Sequence, residues 1–137
     1  MKYWLVKSEQ FRYSWEMFLK DGSTYWDGVR NYQARNNLKN MKNGDLVLFY
    51  HSNEGLEVLG IAKVIKEAYQ DPTTNDQRWV VVDLAPFETL KKPVALDEIK
   101  KDKRLKNIAL IKQSRLSVMP ITKEEYEVIV AKGRRKE

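Results

Sequence analysis

The sequence predicts an α+β domain: a small, mostly antiparallel β-barrel of five to six strands with short flanking helices. Three observations predict it. Strand-length runs of branched and aromatic residues recur between turn signals. Helical stripes lie between some of these runs but do not alternate with them one to one, which argues against a βαβ sheet. The length, 137 residues, fits one domain, since compact domains most often hold roughly 100–150 residues. Residues 1–137 read as a single unit without a repeat, linker or low-complexity segment.

Residues 2–7 read as the first strand. Ser14 can cap a short helix in which Trp15, Phe18 and Leu19 fall at i, i+3 and i+4, with Gly22 ending it. Asn31 is placed to cap a second helix with the apolar stripe Ala34, Leu38 and Met41. After the turn signal Asn43-Gly44-Asp45, Leu46 to Tyr50 is a continuous apolar run, which predicts a strand buried on both faces. Ser52 to Gly55 can close a hairpin into a strand over 57–66, where Gly60 marks a bulge or a close backbone approach.

Tyr69 to Gln77, with Asp71-Pro72, reads as a loop. Trp79 to Leu84 is a further strand, which Pro86 stops or places at an edge. Val94 and Leu96 mark a short strand and Asp97 to Lys100 a helical turn. Asp102 can cap another turn carrying Leu105, Ile108 and Ala109. Ser114 to Met119 reads as the last strand, stopped by Pro120. Thr122 to Glu125 is a capping box with Ile121 and Tyr126 as its hydrophobic staple. Tyr126, Ile129 and Val130 form the buried face of this last helix, and Gly133 stands where a C-terminal cap belongs. Lys132, Arg134, Arg135 and Lys136 favour the negative helix end.

Composition removes several chemistries. There is no cysteine, which excludes disulfides, thiolate metal sites and cysteine nucleophiles. His51 is the one histidine, so zinc would rest on it and carboxylates alone. A carboxylate-bound magnesium ion is the metal site left open, and no cofactor is expected. No apolar run approaches the ~20 residues that span a bilayer, and the first strand lacks a signal peptide's cleavage site. The expectation is an intracellular monomer away from membranes, cytoplasmic or, from a eukaryotic source, nuclear.

Lys and Arg number 25 against 19 Asp and Glu, a net charge of +6. A polyanion is the simplest partner for such a chain, although the same excess also serves solubility. His51 and Ser52 are adjacent, but neighbours on a strand point to opposite faces, which opposes a nucleophile–base pair. No phosphate-cradling glycine pattern is present. Glu9, Asp27 and Asp45 form no acid–base arrangement in the sequence, so the expectation is a non-catalytic protein.

The densest polar-aromatic stretch is Tyr25 to Asn37, with two Tyr, one Trp, two Arg, three Asn and one Gln. Aromatic faces stack on bases, Asn and Gln match base edges, and Arg pairs with phosphate. The composition equally describes a surface loop and an amphipathic helix anchored by Trp26.

Within it, Trp26-Asp27-Gly28-Val29-Arg30-Asn31-Tyr32-Gln33-Ala34-Arg35-Asn36-Asn37 closely resembles the signature of the EVE-domain family. Tyr3 to Glu9 resembles the family's opening strand, Phe49 to Ser52 its second strand motif, and Arg115 to Val118 its last strand. The matches run in family order along nearly the whole chain. In one departure, Gln10 stands where the family's opening motif continues to Pro, which bears on the loop after Glu9.

The resemblance implies a PUA-like barrel that recognises a modified base, foremost a modified cytosine in DNA, without catalysis. An RNA-directed PUA-like domain is the alternative, and a nuclease or hydrolase of modified nucleotides a further one. It implies a pocket built from the first strand, the Trp26 loop and the second and last strands. Trp26 is then a pocket wall or a core anchor. Asn31 and Asn36 are polar readers, with a helix cap as the other role for Asn31. Tyr32 flanks the pocket or packs in the core, and Arg30 and Arg35 meet phosphate or remain solvated. Lys7, Ser8 and Glu9 lie at the pocket mouth, and Tyr50, Ser52, Arg115 and Ser117 follow from the strand motifs. Trp4 is assigned to the core.

Overall fold

The computed structural model describes residues 1–135; Lys136, expected at the end of the last helix, lies outside them. Strands β1 (Tyr3–Glu9), β2 (Thr24–Tyr25), β3 (Leu46–Ser52), β4 (Glu57–Gln70), β5 (Val80–Ala95) and β6 (Val118–Ile121) form one sheet in the order β2-β5-β4-β3-β1-β6. Helices α1 (Trp15–Asp21), α2 (Tyr32–Asn40), α3 (Leu96–Lys101), α4 (Ala109–Lys112) and α5 (Lys123–Arg134), with a 3-10 turn at Lys103–Leu105, complete the α+β fold.

The sheet corrects the expected barrel: it is open, and it is mixed. β1 runs parallel to β3, while the other pairings are antiparallel. A parallel pair needs a long crossover. Here the crossover is residues 10–45, which carries α1, β2, α2 and the polar-aromatic segment. β3 lies between β1 and β4, and Val47 to His51 are all buried, as the unbroken apolar run predicts. One hydrophobic cluster draws on every element except β2.

The caps form as their residues dictate. Ser14 accepts from the Met17 amide, Asn31 from Ala34, and Thr122 from Glu125, whose carboxylate reaches back to the Thr122 N–H at 2.8 Å. Leu19, expected on the buried stripe of α1, is 46% exposed. Gly22 takes the left-handed conformation that ends α1. Gly133 does not cap α5; it lies inside the helix against Leu90, where a side chain would collide.

Pro86, expected to stop its strand or place it at an edge, and Pro120, expected to stop its strand, both sit within strands. β5 continues through Pro86 because β2 pairs only with Asp83 and Leu84, leaving β5 beyond them with β4 as its partner on one side. Pro120 lies in β6, the last strand of the sheet, paired only with β1. An edge has no ladder bond for proline's missing N–H to lose. Ser114 to Ser117, read as strand, form the approach to β6 instead.

Trp4 is core, and its indole N–H donates to the buried Asp45 carboxylate at 3.0 Å. That carboxylate also accepts from the amides of Lys2 and Lys42. Asp45 is therefore committed to holding the start of β1 against the turn before β3.

Candidate functional site

At the carboxyl end of β1 the crossover leaves the sheet and opens a recess of about 490 Å³. This is within the roughly 300–1,000 Å³ range of small-molecule sites. Three parts of the chain wall it: Lys7 to Glu9 with the turn at Arg12 and Tyr13, the segment Thr24 to Arg30, and Ser117.

The β1 wall is fixed by short-range bonds. The amides of Arg12 and Tyr13 donate to the Glu9 carbonyl, closing the turn in which Gln10 is exposed. Ser8 Oγ donates to the Tyr13 carbonyl, and the Lys7 amide to the Ser117 carbonyl at 2.9 Å. The Lys7 ammonium donates to the Ser114 carbonyl at 2.7 Å, and burial lowers its pKa from the ordinary lysine value. Glu9 is paired with Arg12 at 3.1 Å. Tyr13 donates its hydroxyl to Asp21, and burial, with that carboxylate, pushes its phenol up to about 12.

Trp26 is both anchor and wall. Its amide donates to the Val82 carbonyl at 2.8 Å, and its ring meets Phe49 and Tyr13 edge-on at 5.6 and 6.3 Å. The residue is 8% exposed, yet it lines the recess. Among the described residues its indole Nε1–H has no acceptor, while no sealed polar side-chain atom is left unsatisfied. That N–H is therefore not sealed inside the protein.

The turn after Trp26 is organised by Asp71, a residue the sequence marks only as loop. Its carboxylate, 0% exposed, accepts from Arg30 at 3.0 Å, from the Gly28 amide and from Thr73. Gly28 turns there at φ +78°. Burial pushes the Asp71 carboxyl up, but the bonds from Thr73, Arg30 and Gly28 outweigh it and hold it below the usual carboxylate value. The legible signal was the Asp-Pro-Thr spacing, in which Asp71 bonds its own backbone two residues on. Nothing local tied it to Gly28, more than forty residues earlier.

The structure brings Lys7, Ser8, Glu9, Trp26, Arg30 and Ser117 around this recess, with Arg12 and Tyr13 as members the sequence did not mark. Asn31 and Arg115 line an adjoining recess instead, and the Asn31 side chain is occupied in capping α2. Tyr32, Arg35 and Asn36 lie outside both. Tyr32 is 52% exposed and stacks on Trp79 at 5.3 Å, with the Arg35 guanidinium over its ring at 5.0 Å. The Asn36 side-chain oxygen Oδ1 accepts from that Arg35 guanidinium. Tyr50 is buried in β3, its phenol pushed up to about 12 by that burial, and Ser52 pairs in register with Glu9 at the end of β3.

His51 faces another part of the molecule. Its Nε2 accepts from the Trp15 amide at 3.2 Å, which requires the neutral ring and engages the lone pair a general base would use. Burial lowers its pKa from the ordinary 6.5. The unfolded chain therefore holds the proton more tightly, and stability falls as pH drops from about 6.5 toward the folded value. Because His51 is the sole histidine, melting temperatures recorded from pH 7.5 to 5 should fall in the native protein and flatten over that window in His51→Gln. An equal fall in both would remove His51 as the cause.

Among the described residues no group of three or more His, Asp or Glu could hold a metal ion. No helix among them is long and apolar enough to cross a membrane.

The sheet order and its helices define a fold that recurs at low sequence identity. The YTH domain of Zygosaccharomyces rouxii MRB1, solved in complex with N6-methyladenosine RNA, shares it at a TM-score of 0.64 and 14% identity, over 99% of this chain and 86% of that one. More specifically, the chain belongs to the EVE domain family, which it matches over residues 2–132.

Human thymocyte nuclear protein 1 is 36% identical over 132 residues, covering 80% of this chain and 59% of its own length. The chicken protein is 38% identical, and the chain spans 54% of it, little more than half. Protein Atu2648 from Agrobacterium tumefaciens has a TM-score of 0.96 at 45% identity, over 97% of this chain and 93% of that one. Human THYN1, solved in complex with 5-methylcytosine-containing DNA, has a TM-score of 0.89 at 32% identity, over 100% of each chain.

Proposed function

We propose that this chain binds nucleic acid through a modified base, foremost a modified cytosine in DNA, seated in the recess beside Trp26. The observation that carries the reading is the Trp26 indole: a ring held by the core, lining a recess, with its N–H not sealed inside the protein. A base carbonyl or ring nitrogen is an acceptor suited to such a donor. Lys7 places positive charge beside it for phosphate, while the Arg30 charge is already paired with Asp71. The complex of human THYN1 with 5-methylcytosine DNA supports the same choice of ligand.

The reading is one of binding without turnover. Of the carboxylates lining the recess, Glu9 is paired with Arg12, which leaves Asp27 as the one without an ion pair among the described residues. His51, the sole member of the residue type whose ordinary pKa lies near neutral pH, lines a different recess.

Energies set the expected scale. Extracting a base from a duplex costs a few kcal/mol, one aromatic contact returns about 1–3 kcal/mol, and a buried methyl group adds about 0.8 kcal/mol. A methyl alone therefore predicts about a fourfold preference over cytosine. The test is titration with matched DNA oligonucleotides carrying cytosine, 5-methylcytosine or 5-hydroxymethylcytosine, and with the RNA counterpart. Tighter binding of a modified DNA supports the reading. Equal binding of all four reduces it to general polyanion affinity, and preference for RNA would transfer the ligand to that class.

A further inference from the structure

Two cationic surfaces lead away from the Trp26 recess, and they differ in how their charges are matched. The first is a ridge on which Tyr32 stacks on Trp79. The guanidinium groups of Arg30 and Arg78 lie over the Trp79 ring at 5.5 and 5.7 Å, and that of Arg35 over Tyr32 at 5.0 Å. Stacked arginine and aromatic side chains invite a nucleic-acid strand. Yet the charge here is largely answered within the protein: Arg30 pairs with Asp71 at 3.0 Å and Arg78 with Asp76 at 2.6 Å.

The second surface is a recess of about 380 Å³ between the start of α2 and residues 112–116. It contains Lys112 and Arg115 and no Asp or Glu. Neither cationic side chain has a hydrogen-bond or ion-pair partner among the described residues. Across the recess the Gln33 side-chain amide on α2 donates to Gln113 Oε1 at 2.8 Å.

This second recess adjoins the first along the chain itself. Arg30 lines one and Asn31 the other; Ser117 lines one and Leu116 the other. Lys7, in the wall of the first, donates its ammonium to the carbonyl of Ser114, in the wall of the second. A strand whose base enters the Trp26 recess meets this shared wall within a residue's reach.

We infer that the phosphodiester backbone flanking the seated base runs across the Lys7–Ser114 wall and lies against Lys112 and Arg115, rather than along the Arg35–Arg78 ridge. The inference rests on the base-binding reading for its starting point. The choice of route rests on charge. A phosphate meeting Lys112 or Arg115 displaces only counterions, whereas at Arg30 or Arg78 it competes with a carboxylate already in contact.

The test compares two double variants that lose the same net charge, Lys112→Ala/Arg115→Ala and Arg35→Ala/Arg78→Ala. The probes are fluorescent single-stranded DNA oligonucleotides, with and without one 5-methylcytosine, titrated at 50 to 200 mM salt, and free 5-methyldeoxycytidine. Each single-strand phosphate contact contributes about 0.7 to the slope of log affinity against log salt. Lys112→Ala/Arg115→Ala should lose about 1.4 from that slope, while its ratio of modified to unmodified binding and its nucleoside binding stay unchanged. The ridge variant should lose less.

An unchanged slope in Lys112→Ala/Arg115→Ala, or an equal or larger loss in the ridge variant, overturns the route. Equal binding of both oligonucleotides by the unaltered protein overturns the base reading but leaves the slope comparison standing as a test of where the backbone lies. No binding of either oligonucleotide overturns both.

Discussion

Trp26→Ala is expected to lower stability by about 3–5 kcal/mol, the range for truncating a buried aromatic, and to abolish preference for a modified base. The two losses share a cause. The ring is in edge-on contact with Phe49 and Tyr13 while it lines the recess, so its removal opens a cavity in the core and deletes the wall. Trp26→Phe separates them. It keeps an aromatic ring for the core but has no N–H, so binding of the modified oligonucleotide should weaken by about 0.5–1.5 kcal/mol, the net worth of one hydrogen bond. Urea denaturation and oligonucleotide titration of both variants measure this. A Trp26→Ala protein as stable as the native one would show that the ring is not a core anchor. Full base preference in Trp26→Phe would show that the indole N–H is not used.

Gly60→Ala should destabilise by about 3 kcal/mol or more, at or beyond the upper end for overpacking, without changing base preference. A Cβ at Gly60 would lie 2.2 Å from Trp15 Cζ2 and 2.5 Å from Cη2. The ring has little freedom to move aside. Its Nε1–H donates to Thr89 at 3.0 Å, its backbone amide to His51, and it meets Phe18 and Phe49 edge-on. Trp15→Phe removes the atoms that collide, so the double variant should cost less than the sum of the single ones. Additive denaturation energies would mean that strand and ring yield independently.

The local signals in the sequence were the reliable ones. Ser14, Asn31 and the Thr122–Glu125 box cap helices because each bond spans only three residues. Gly60 announced a bulge or a close approach, and both occur, the register shifting beside it and Trp15 packing against it, although the sequence did not name Trp15 as the neighbour. What failed needed knowledge of neighbours. Pro120 looks like a strand breaker until the sheet order leaves it with one partner strand. The parallel pairing of β1 with β3 leaves no mark in either strand's residues.

The site divides in the same way. Lys7 to Glu9 and Trp26 to Arg30 converge because one ends β1 and the other lies on the crossover that follows it. Tyr32, Arg35 and Asn36, contiguous with them in sequence, leave the recess because α2 commits Ala34 and Leu38 to the core and turns the others toward Trp79 and Arg78. Asp71, which bonds the Gly28 amide and the Arg30 side chain, comes from the loop that joins β4 to β5.

The placement of β1 between β3 and β6 has a consequence for synthesis on the ribosome. This strand emerges before its neighbours, and its second partner, at Val118–Ile121, is translated more than a hundred residues later. Until then the apolar run Trp4-Leu5-Val6 has an uncovered edge, exposed to chaperones and to other nascent chains. Ser117, whose carbonyl receives the Lys7 amide, arrives in the same late stretch. A chain terminated before residue 117 would lack both β6, the antiparallel partner of β1, and the Ser117 carbonyl that receives the Lys7 amide.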